Sequence, residues 1–287
     1  MTTRTFLITG VSSGLGRAFA QGALDAGHTV VGTVRREADL AAFEALAPGR
    51  AHARRLDVTD DEAVPVVVQE VERAVGPIDV LIANAGYGHE GVFEESPIAE
   101  LRAQFDANVF GVASTVQAVL PSMRERRRGH IFAVSSMGGL MTVPGLAYYC
   151  SSKYAVVGLL ETVAKEVAGF GVHVTILEPG SFRTDWAGRS MVRTERSVKD
   201  YDALFEPIRA ARQAASGHQL GDPAQAAQAV LAVIEAEQPP VHLVLGSDAL
   251  RLVEAGRAAV EADLREWEPL SRSTDFPDGH QLGPNRS

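Results

Sequence analysis

Two adjacent tyrosines and a nearby lysine are the residues of this chain whose chemistry is easiest to name. The stretch at 147–153 reads AYYCSSK. Tyr149 and Lys153 have the spacing that puts two side chains on one face of a helix, whereas Tyr148 and Lys153 do not. A free tyrosine has a pKa of about 10, and a neighbouring ammonium group favours the phenolate and lowers that pKa. The spacing therefore predicts acid/base chemistry at Tyr149, tuned by Lys153.

A glycine-rich stretch near the start of the chain predicts a loop that holds phosphate. The sequence TGVSSGLG covers residues 9–16, between an apolar strand pattern and an Ala-rich helix pattern. Glycine lets the backbone turn and approach a ligand closely, and the first turn of the following helix offers free N–H groups to a pyrophosphate. The spacing is G-x-x-x-G-x-G, not the usual G-x-G-x-x-G, so the loop by itself also fits a tight turn without a ligand.

The elements that position these residues alternate along the chain between apolar strands and helices. Nearly continuous Val, Ile and Leu runs indicate parallel strands covered on both faces. We predict a single-domain α/β fold, a Rossmann-like doubly wound parallel sheet of about seven strands with helices on both faces. This domain covers residues 1–264, with a helix from Ser151 onwards and an irregular stretch at 181–218. Residues 265–287 are expected to form a polar, loosely ordered tail.

Composition and charge argue against several classes of protein. The net charge of −9 does not suggest a nucleic-acid binder, and no window approaches the ~20 apolar residues of a membrane span. Cys150 is the only cysteine, so no internal disulfide forms, and we expect a reducing, cytoplasmic setting with Cys150 as a small packed residue. The apolar run that ends at Gly10 is too short for a signal peptide. The histidines never pair at metal-ligand spacing, and no metal site is predicted.

Several motifs in order resemble those of the short-chain dehydrogenase/reductase family, over about residues 4–185. Besides the glycine loop and YYCSSK, they are ANAG at 83–86, FDANVFG at 105–111, AVSSMGG at 133–139 and EPGSFRTD at 178–185. Ala83 departs from the family's motif, which has a second asparagine there. The resemblance implies the doubly wound fold and hydride transfer between a nicotinamide cofactor and a carbonyl or alcohol.

The resemblance also implies roles for individual residues. Tyr149 would donate the proton, Ser136 would polarise the substrate oxygen, Lys153 would also bind the nicotinamide ribose, and Asn108 would hold a water on the proton path. Ser135 stays an alternative to Ser136, and Asn108 alone also fits a buried amide bonded to backbone. The implied cofactor contacts are Gly10, Ser12, Ser13, Gly14, Leu15, Gly16, Arg35, Asp57, Val58, Asn84, Ala85, Gly86, Tyr149, Lys153, Pro179, Gly180 and Thr184.

The end of the second strand favours NADP(H) over NAD(H). An acidic residue there binds the adenosine ribose in NAD enzymes, but comparison with the family puts Val34 at that position. Arg35 and Arg36 follow, and a guanidinium group can pair with the extra phosphate of NADP through two bonds. Both arginines could instead be solvated loop charges. Asp57 could likewise cap the next helix as well as contact adenine.

The substrate is less determined by the sequence. In the family, the segment at about 185–215, here called the lid segment, covers the substrate pocket. Its apolar side chains could face a lipophilic carbonyl or alcohol, or they could form the lid's own core. The resemblance further implies a homodimer or homotetramer built from the helices at 98–125 and 151–168. Alternatives to the oxidoreductase are a family member that performs dehydration or epimerisation and a non-catalytic, nucleotide-sensing regulator.

Overall fold

A computed structural model describes residues 2–188, 190–277 and 279 of the chain. The strands are β1 (Thr5–Ile8), β2 (Thr29–Val34), β3 (Ala51–Arg55), β4 (Val80–Ala83), β5 (Gly88–Glu90), β6 (Gly129–Val134), β7 (Val172–Pro179), β8 (Met191–Arg193) and β9 (His242–Leu245). The helices are α1 (Gly14–Asp25), α2 (Leu40–Glu44), α3 (Ala63–Ala74), α4 (Ile98–Phe105), α5 (Gly111–Arg126), α6 (Ala147–Val167), α7 (Asp202–Ala214), α8 (Pro223–Ile234) and α9 (Ser247–Arg272).

The main sheet confirms the doubly wound prediction. Its order is β3-β2-β1-β4-β6-β7-β9, and every neighbouring pair is parallel. The chain moves outwards from β1 to β3 and then returns to build the other half from β4. The order therefore reverses between β1 and β4, and in such sheets ligands bind at this point, beyond the carboxyl ends of the strands.

Two apolar layers cover the sheet. Alternate residues of β1 point to opposite faces: Leu7 packs under the layer of α3, α5 and α6, whereas Phe6 and Ile8 pack under α1 and α8. All three side chains are fully buried or nearly so. Burial on both faces is the reason that these strands read as continuous apolar runs instead of alternating ones.

Helix boundaries depart from the sequence prediction in three places. Helix α6 begins at Ala147, not at Ser151, so Tyr149 lies within its first turn. The stretch at 181–218 is not irregular throughout, because it contains β8 and α7. Helix α9 continues to Arg272 and makes the first part of the expected loose tail helical, whereas residue 278 and residues 280–287 of that tail lie outside the described residues.

The long helix predicted through Asn108 is interrupted by a π-helical turn. Helices α4 and α5 are joined by this wider turn at Asp106–Phe110, which contains the fully buried Asn108. Such turns occur often at functional sites, because the extra residue changes the direction in which a side chain projects.

Candidate active site

The glycine loop after β1 has the backbone geometry of an anion-binding turn. Gly10 and Gly14 have φ angles of 73° and 62°, in the left-handed region that favours glycine. A Cβ atom on Gly16 would overlap the Gly10 carbonyl oxygen and the Asn84 amide. The first N–H groups of α1 have no intrahelical acceptor, and the Ser13 side chain does not cap them. The loop therefore fits the pyrophosphate that the sequence predicts.

Asn84 shapes this loop from the neighbouring strand end. Its Nδ2 donates to the carbonyl oxygens of Thr9 and Gly10 at 2.9 and 3.1 Å. The backbone N–H groups of Asn84 and Ala85 donate to the Thr9 hydroxyl at 2.9 and 3.0 Å. The ANAG motif thus ties β4 to β1 across the point where the strand order reverses.

Arg35 and Arg36 differ in their surroundings. Arg36 is exposed and binds Asp39 through two hydrogen bonds of 2.9 and 2.7 Å. Arg35 is also exposed, directly after β2, and no ion pair of Arg35 occurs among the residues that the structure describes. Val34, at the family's acidic position, is buried in the core. Of the two arginines, Arg35 is the one whose guanidinium is available to a phosphate.

The other predicted cofactor residues lie along the same edge of the sheet. Asp57 follows β3, is exposed, and accepts hydrogen bonds from the N–H and hydroxyl of Thr59 at 3.1 and 2.9 Å. It closes a turn before α3 but does not cap that helix, because the Ala63 N–H at the start of α3 donates to Asp60 instead. Val58 is buried against Gly111. Ser12 is exposed on the glycine loop, while the half-buried Leu15 packs against the core.

Pro179 is the last residue of β7, and Gly180 follows it beside α9. A Cβ on Gly180 would overlap the carboxylate of Asp248. That carboxylate accepts a hydrogen bond from the Ser181 N–H at 2.9 Å. Gly180 is therefore required by the close approach of α9, independently of any cofactor contact. Thr184 lies across the cleft from the glycine loop, 3.9 Å from where a Cβ on Gly14 would be.

The two tyrosines point to different places, as the helical register predicts. The Tyr148 hydroxyl donates to the Ser96 carbonyl at 2.7 Å, and its ring packs against His89 and Phe93. Tyr149 instead faces the Ser136 side chain, which acts to lower the pKa of Tyr149. Tyr148 is therefore fixed to the loop before α4, and Tyr149 is the tyrosine that lies beside Ser136.

The two adjacent serines after β6 also have different partners. The Ser135 hydroxyl donates to the Lys153 carbonyl at 3.1 Å, so it is used within the packing of α6. The Ser136 hydroxyl accepts from the Gly138 N–H at 3.0 Å and lies beside Tyr149. This geometry favours Ser136 over Ser135 for contact with a substrate oxygen.

Lys153 lies beneath Tyr149 in the buried part of the site. Its Nζ donates to the Val134 carbonyl at 2.7 Å and lies 5.7 Å from the centre of the Tyr149 ring. Burial lowers the pKa of Lys153 to about 8, because the charged form is poorly solvated there. The lysine thus joins α6 to the end of β6.

The expected tuning of Tyr149 by Lys153 is not what the structure shows. Burial raises the pKa of Tyr149 well above its ordinary value, and the neighbouring Ser136 hydroxyl acts in the opposite direction. Lys153 is not among the groups that shift this pKa, and its Nζ is held by the Val134 carbonyl. Both groups are buried, and burial disfavours the charged form of each. At neutral pH Tyr149 is therefore a protonated phenol, the form that can donate a proton.

Asn108 is bonded to its surroundings through both ends of its amide. Its Oδ1 accepts from the Tyr87 N–H at 3.0 Å, and its Nδ2 donates to the Tyr87 carbonyl and the Ser152 hydroxyl at 3.0 and 3.1 Å. A Cβ on Gly86 would lie 2.7 Å from Asn108 Oδ1. The side chain therefore connects the loop after β4 to α6, which is the structural reading that the sequence left open.

A cavity of about 660 Å³ lies beside the first turn of α6. Its mainly apolar walls include Val92, Phe93, Val143, Pro144, Cys150, Tyr154, Tyr201, Leu204 and Phe205. A Cβ on Gly138 would lie 3.4–3.5 Å from Cys150 Sγ, Ser136 Oγ and the Tyr149 ring. Cys150 thus connects the cavity with the Ser136–Tyr149 pair, a role that its sequence context did not suggest.

The lid segment covers the site, and its apolar residues divide between the two predicted roles. Trp186 packs against Tyr149 with ring centres 5.1 Å apart, after a turn in which Thr184 Oγ1 accepts from the Trp186 N–H at 3.3 Å. Phe205 is buried and packs on Arg196 as part of the lid's own core, although it also reaches the cavity. Leu204 is 57% exposed and lines the cavity.

Comparison with known proteins places this arrangement in a family. Residues 4–195 match the sequence profile described as short chain dehydrogenase. The chain belongs to the short-chain dehydrogenase family. A short-chain dehydrogenase from Streptomyces avermitilis is 41% identical in sequence and superposes with a TM-score of 0.89, covering 96% of this chain and all of that one. The fold and the family resemblance predicted from the motifs are therefore confirmed.

Curated relatives of this short-chain dehydrogenase are oxidoreductases. Oxidoreductase BOA17 of Botryotinia fuckeliana is 38% identical over 94% of this chain and 98% of its own length. The 3-ketodihydrosphingosine reductase of Bacteroides thetaiotaomicron is 34% identical over 86% of this chain and 89% of its own. The present chain is accordingly an oxidoreductase of this family.

A more distant relative of known structure contains a nicotinamide cofactor. A short chain dehydrogenase/reductase from Burkholderia phymatum in complex with NAD is 25% identical, with a TM-score of 0.77 and 98% of each chain covered. The fold of this short-chain dehydrogenase, with its open glycine turn at the carboxyl edge of the sheet, fits a cofactor of this type.

Sequence reasoning missed several residues that shape the site. Gly88 on β5 leaves room for Trp186, since a Cβ there would lie 2.8 Å from the indole ring. Glu90 on the same strand is 1% exposed and pairs with arginines of the lid segment. Neither belongs to one of the motifs identified in the sequence, and no local pattern predicted their roles. In the described part of the chain, no cluster of three or more His, Cys, Asp or Glu could hold a metal.

Proposed function

We propose that this short-chain dehydrogenase is an NADP(H)-dependent oxidoreductase that interconverts a carbonyl and a secondary alcohol, with Tyr149 as the general acid/base. The observation that carries the proposal is the proximity of Ser136 and Tyr149, with Nζ of Lys153 5.7 Å from the centre of the Tyr149 ring. The pair and the glycine turn both lie at the carboxyl edge of the sheet, where the strand order brings their loops together.

The roles of the residues follow from their protonation states and contacts. The bound nicotinamide supplies or accepts the hydride. Ser136 donates a hydrogen bond to the substrate oxygen, and Tyr149, a protonated phenol at neutral pH, donates the proton during reduction. Lys153, held by the Val134 carbonyl, binds the nicotinamide ribose and passes on the proton. Asn108 keeps α6 and the loop after β4 in register so that this proton path is maintained.

Arg35 supports NADP(H) as the preferred cofactor. It follows β2, where the adenosine ribose binds in this fold, and Val34 offers no carboxylate to the ribose hydroxyl groups. Arg36 is already paired with Asp39, so the proposal assigns the 2′-phosphate to Arg35 and Ser13.

The cavity beside α6 supports a lipophilic substrate. Its walls are mainly apolar, and its volume of about 660 Å³ lies within the range of small-molecule sites. Relatives named 3-ketodihydrosphingosine reductase and retinol dehydrogenase 8 are, by their names, enzymes of lipophilic compounds. Burial of an apolar chain against Val143, Phe205 and Leu204 would place the polar end of the substrate near Ser136.

The proposal also covers the cellular compartment and the oligomeric state of the enzyme. The sole cysteine is buried and suits a reducing compartment, and we place the enzyme in the cytoplasm as a homodimer or homotetramer. Among the described residues, no helix is both long enough and apolar enough to span a membrane.

Replacement of the proton donor tests the proposal. We expect Tyr149→Phe to reduce NADPH-linked reduction of 2-decanone by about 10²–10⁴-fold, because the ring remains and only the hydroxyl is lost. NADPH binding, followed by nicotinamide fluorescence, should stay within about twofold of the parent. The measurement is the steady-state rate of the parent, of Tyr149→Phe and of a control variant, Tyr148→Phe.

Tyr148→Phe is the matched control. It removes the hydroxyl that binds the Ser96 carbonyl and leaves Tyr149 untouched, so turnover should persist. Full activity of Tyr149→Phe would refute the assignment. Tight NADPH binding without turnover of any carbonyl by the parent would favour the alternative function, a nucleotide-sensing regulator on the same scaffold.

A further inference from the structure

A small second sheet joins the body of the protein to the lid segment. β5 follows the ANAG loop, and β8 belongs to the lid. The two strands pair in parallel with Gly88 opposite Met191 and Glu90 opposite Arg193. Backbone bonds extend the junction, since the Gly88 N–H donates to Ser190 and the Thr194 N–H donates to Glu90. β5 is therefore the strand outside the lid segment that fixes the position of β8 through backbone hydrogen bonds.

Glu90 is a buried carboxylate that faces three arginines of the lid. Only 1% of Glu90 is exposed. Its Oε2 lies 2.5 Å from Nη1 of Arg212, and its Oε1 lies 3.4 and 3.6 Å from the Nε atoms of Arg193 and Arg209. Arg209 and Arg212 are one turn apart on α7, so a single carboxylate holds both the lid's strand and its helix.

The same strand determines where Trp186 lies. Gly88, two residues before Glu90, has no side chain at the point where Trp186 and Met191 pack, and a Cβ there would come within 2.8–2.9 Å of both. Trp186 in turn covers Tyr149, which is 7% exposed. A shift of the lid along β5 would move the indole off the phenol.

We propose that Glu90 is a positioning residue that fixes the lid segment, and with it Trp186, over the Ser136–Tyr149 pair. The role in turnover rests on the function proposed above, whereas the role in lid position does not. Removing the charge of Glu90 leaves three guanidinium groups around a neutral side chain in a largely desolvated place, and breaking a buried ion pair on one side is strongly unfavourable. The lid would relieve this by moving the arginines towards water.

Tryptophan emission can report the position of the lid directly. Trp186 and Trp267 are the only tryptophans, and Trp267 lies on α9, 56% exposed and outside the lid. In a Trp267→Phe background the signal comes from Trp186 alone. We expect Glu90→Gln to shift this emission to longer wavelength and to raise acrylamide quenching by about twofold or more, since the indole gains contact with water.

The controls separate lid opening from general loosening. Glu72 on α3, outside the lid segment, forms another partly buried carboxylate–arginine pair, with Arg126 at 3.2 Å. Glu72→Gln breaks this pair and should leave Trp186 emission unchanged. Glu90→Asp keeps the charge and should give a smaller shift than Glu90→Gln. Arg212→Met removes the nearest partner from the lid side and should reproduce the effect if Glu90→Gln fails to fold. Unchanged Trp186 emission in a folded Glu90→Gln or Arg212→Met protein would overturn the proposal.

Kinetics then connect the lid with the reaction. For 2-decanone we expect Glu90→Gln to raise KM by about tenfold, while the NADPH dissociation constant stays within about twofold, because the glycine loop is not touched. An equal change in NADPH affinity, or the same loss in Glu72→Gln, would indicate a purely structural role and overturn this part. If the parent reduces no carbonyl, the proposed function fails, but the emission experiment still decides whether Glu90 holds the lid.

Discussion

At the scale of single residues, the chemistry of the site depends on which neighbour each polar atom already has. Tyr148 and Ser135 are bound to backbone carbonyls, whereas Tyr149 and Ser136 are the pair for which we propose contact with a substrate. The same reasoning distinguishes the two arginines after β2: the guanidinium of Arg36 is bound to Asp39, whereas Arg35 has no such ion pair among the described residues. Adjacent residues of identical type thus have different contacts, because the helix or strand end directs their side chains to different partners.

The different surroundings of Arg35 and Arg36 give a prediction about which cofactor the protein prefers. Arg35→Ala should weaken NADPH binding by about 10–150-fold, the equivalent of a charge-assisted hydrogen bond of roughly 1.5–3 kcal/mol, and should leave NADH binding nearly unchanged. The reason is that only NADPH carries the phosphate that a guanidinium can bind. Parallel fluorescence titrations with the two cofactors measure the difference.

Arg36→Ala is the comparison for this experiment. It removes an equal charge from the next position, but that charge is bound to Asp39, so NADPH affinity should fall far less. Equal loss for NADPH and NADH in Arg35→Ala would mean that Arg35 does not contact the phosphate. Tight NADH binding by the parent, with weak NADPH binding, would reverse the cofactor assignment.

At the scale of elements, the βα turns at the edge of the sheet are supported by their neighbours. The glycine loop is held by Asn84 of the next strand end, and the π-helical turn places Asn108 between Tyr87 and Ser152. Asn84 and Asn108 therefore each position a neighbouring segment, whether or not they also contact a ligand. This explains why residues from separate motifs come together as one site.

Gly16 allows a test at this scale. Gly16→Ala should abolish NADPH binding and lower the unfolding temperature, because its Cβ would overlap both the Gly10 carbonyl and the Asn84 amide that shapes the loop. Gly158→Ala on α6 is the matched control, since a Cβ there meets nothing within 4 Å. In the helix interior it should stabilise the protein by up to about 1 kcal/mol. Thermal unfolding and NADPH titration check both variants, and normal NADPH binding by Gly16→Ala would contradict the prediction.

At the scale of the whole molecule, exposed apolar side chains lie on the helices where the sequence predicts a subunit interface. Phe110, at the end of the π-helical turn, is 55% exposed, Ile98 at the start of α4 is 61% exposed, and Tyr154 on α6 is 43% exposed. Apolar side chains in such positions are typical of surfaces that become buried in an oligomer. The arrangement supports the proposed homodimer or homotetramer.

A charge introduced at this surface should separate the subunits. We expect Phe110→Glu to give a smaller species than the parent in light scattering coupled to gel filtration, because a buried carboxylate without a partner opposes association. Trp267→Glu changes an equally exposed aromatic residue on α9, outside the two helices, and should leave the mass unchanged. A monomeric parent, or dissociation by Trp267→Glu alone, would contradict the predicted interface.

The sequence by itself determined those features that depend on residues close together in the chain. Strand and helix periodicity predicted the doubly wound sheet, and the spacing of Tyr149 and Lys153 predicted which of the two tyrosines shares a helix face with the lysine, since both are local properties of the backbone. Only the tertiary structure decided the raised pKa of Tyr149, the contact of Trp186 with Tyr149 and the three arginines around Glu90. These depend on desolvation and on contacts between distant segments, such as Glu90 and Arg212, which are 122 residues apart. Local patterns cannot predict them, because burial is a property of the packed molecule as a whole.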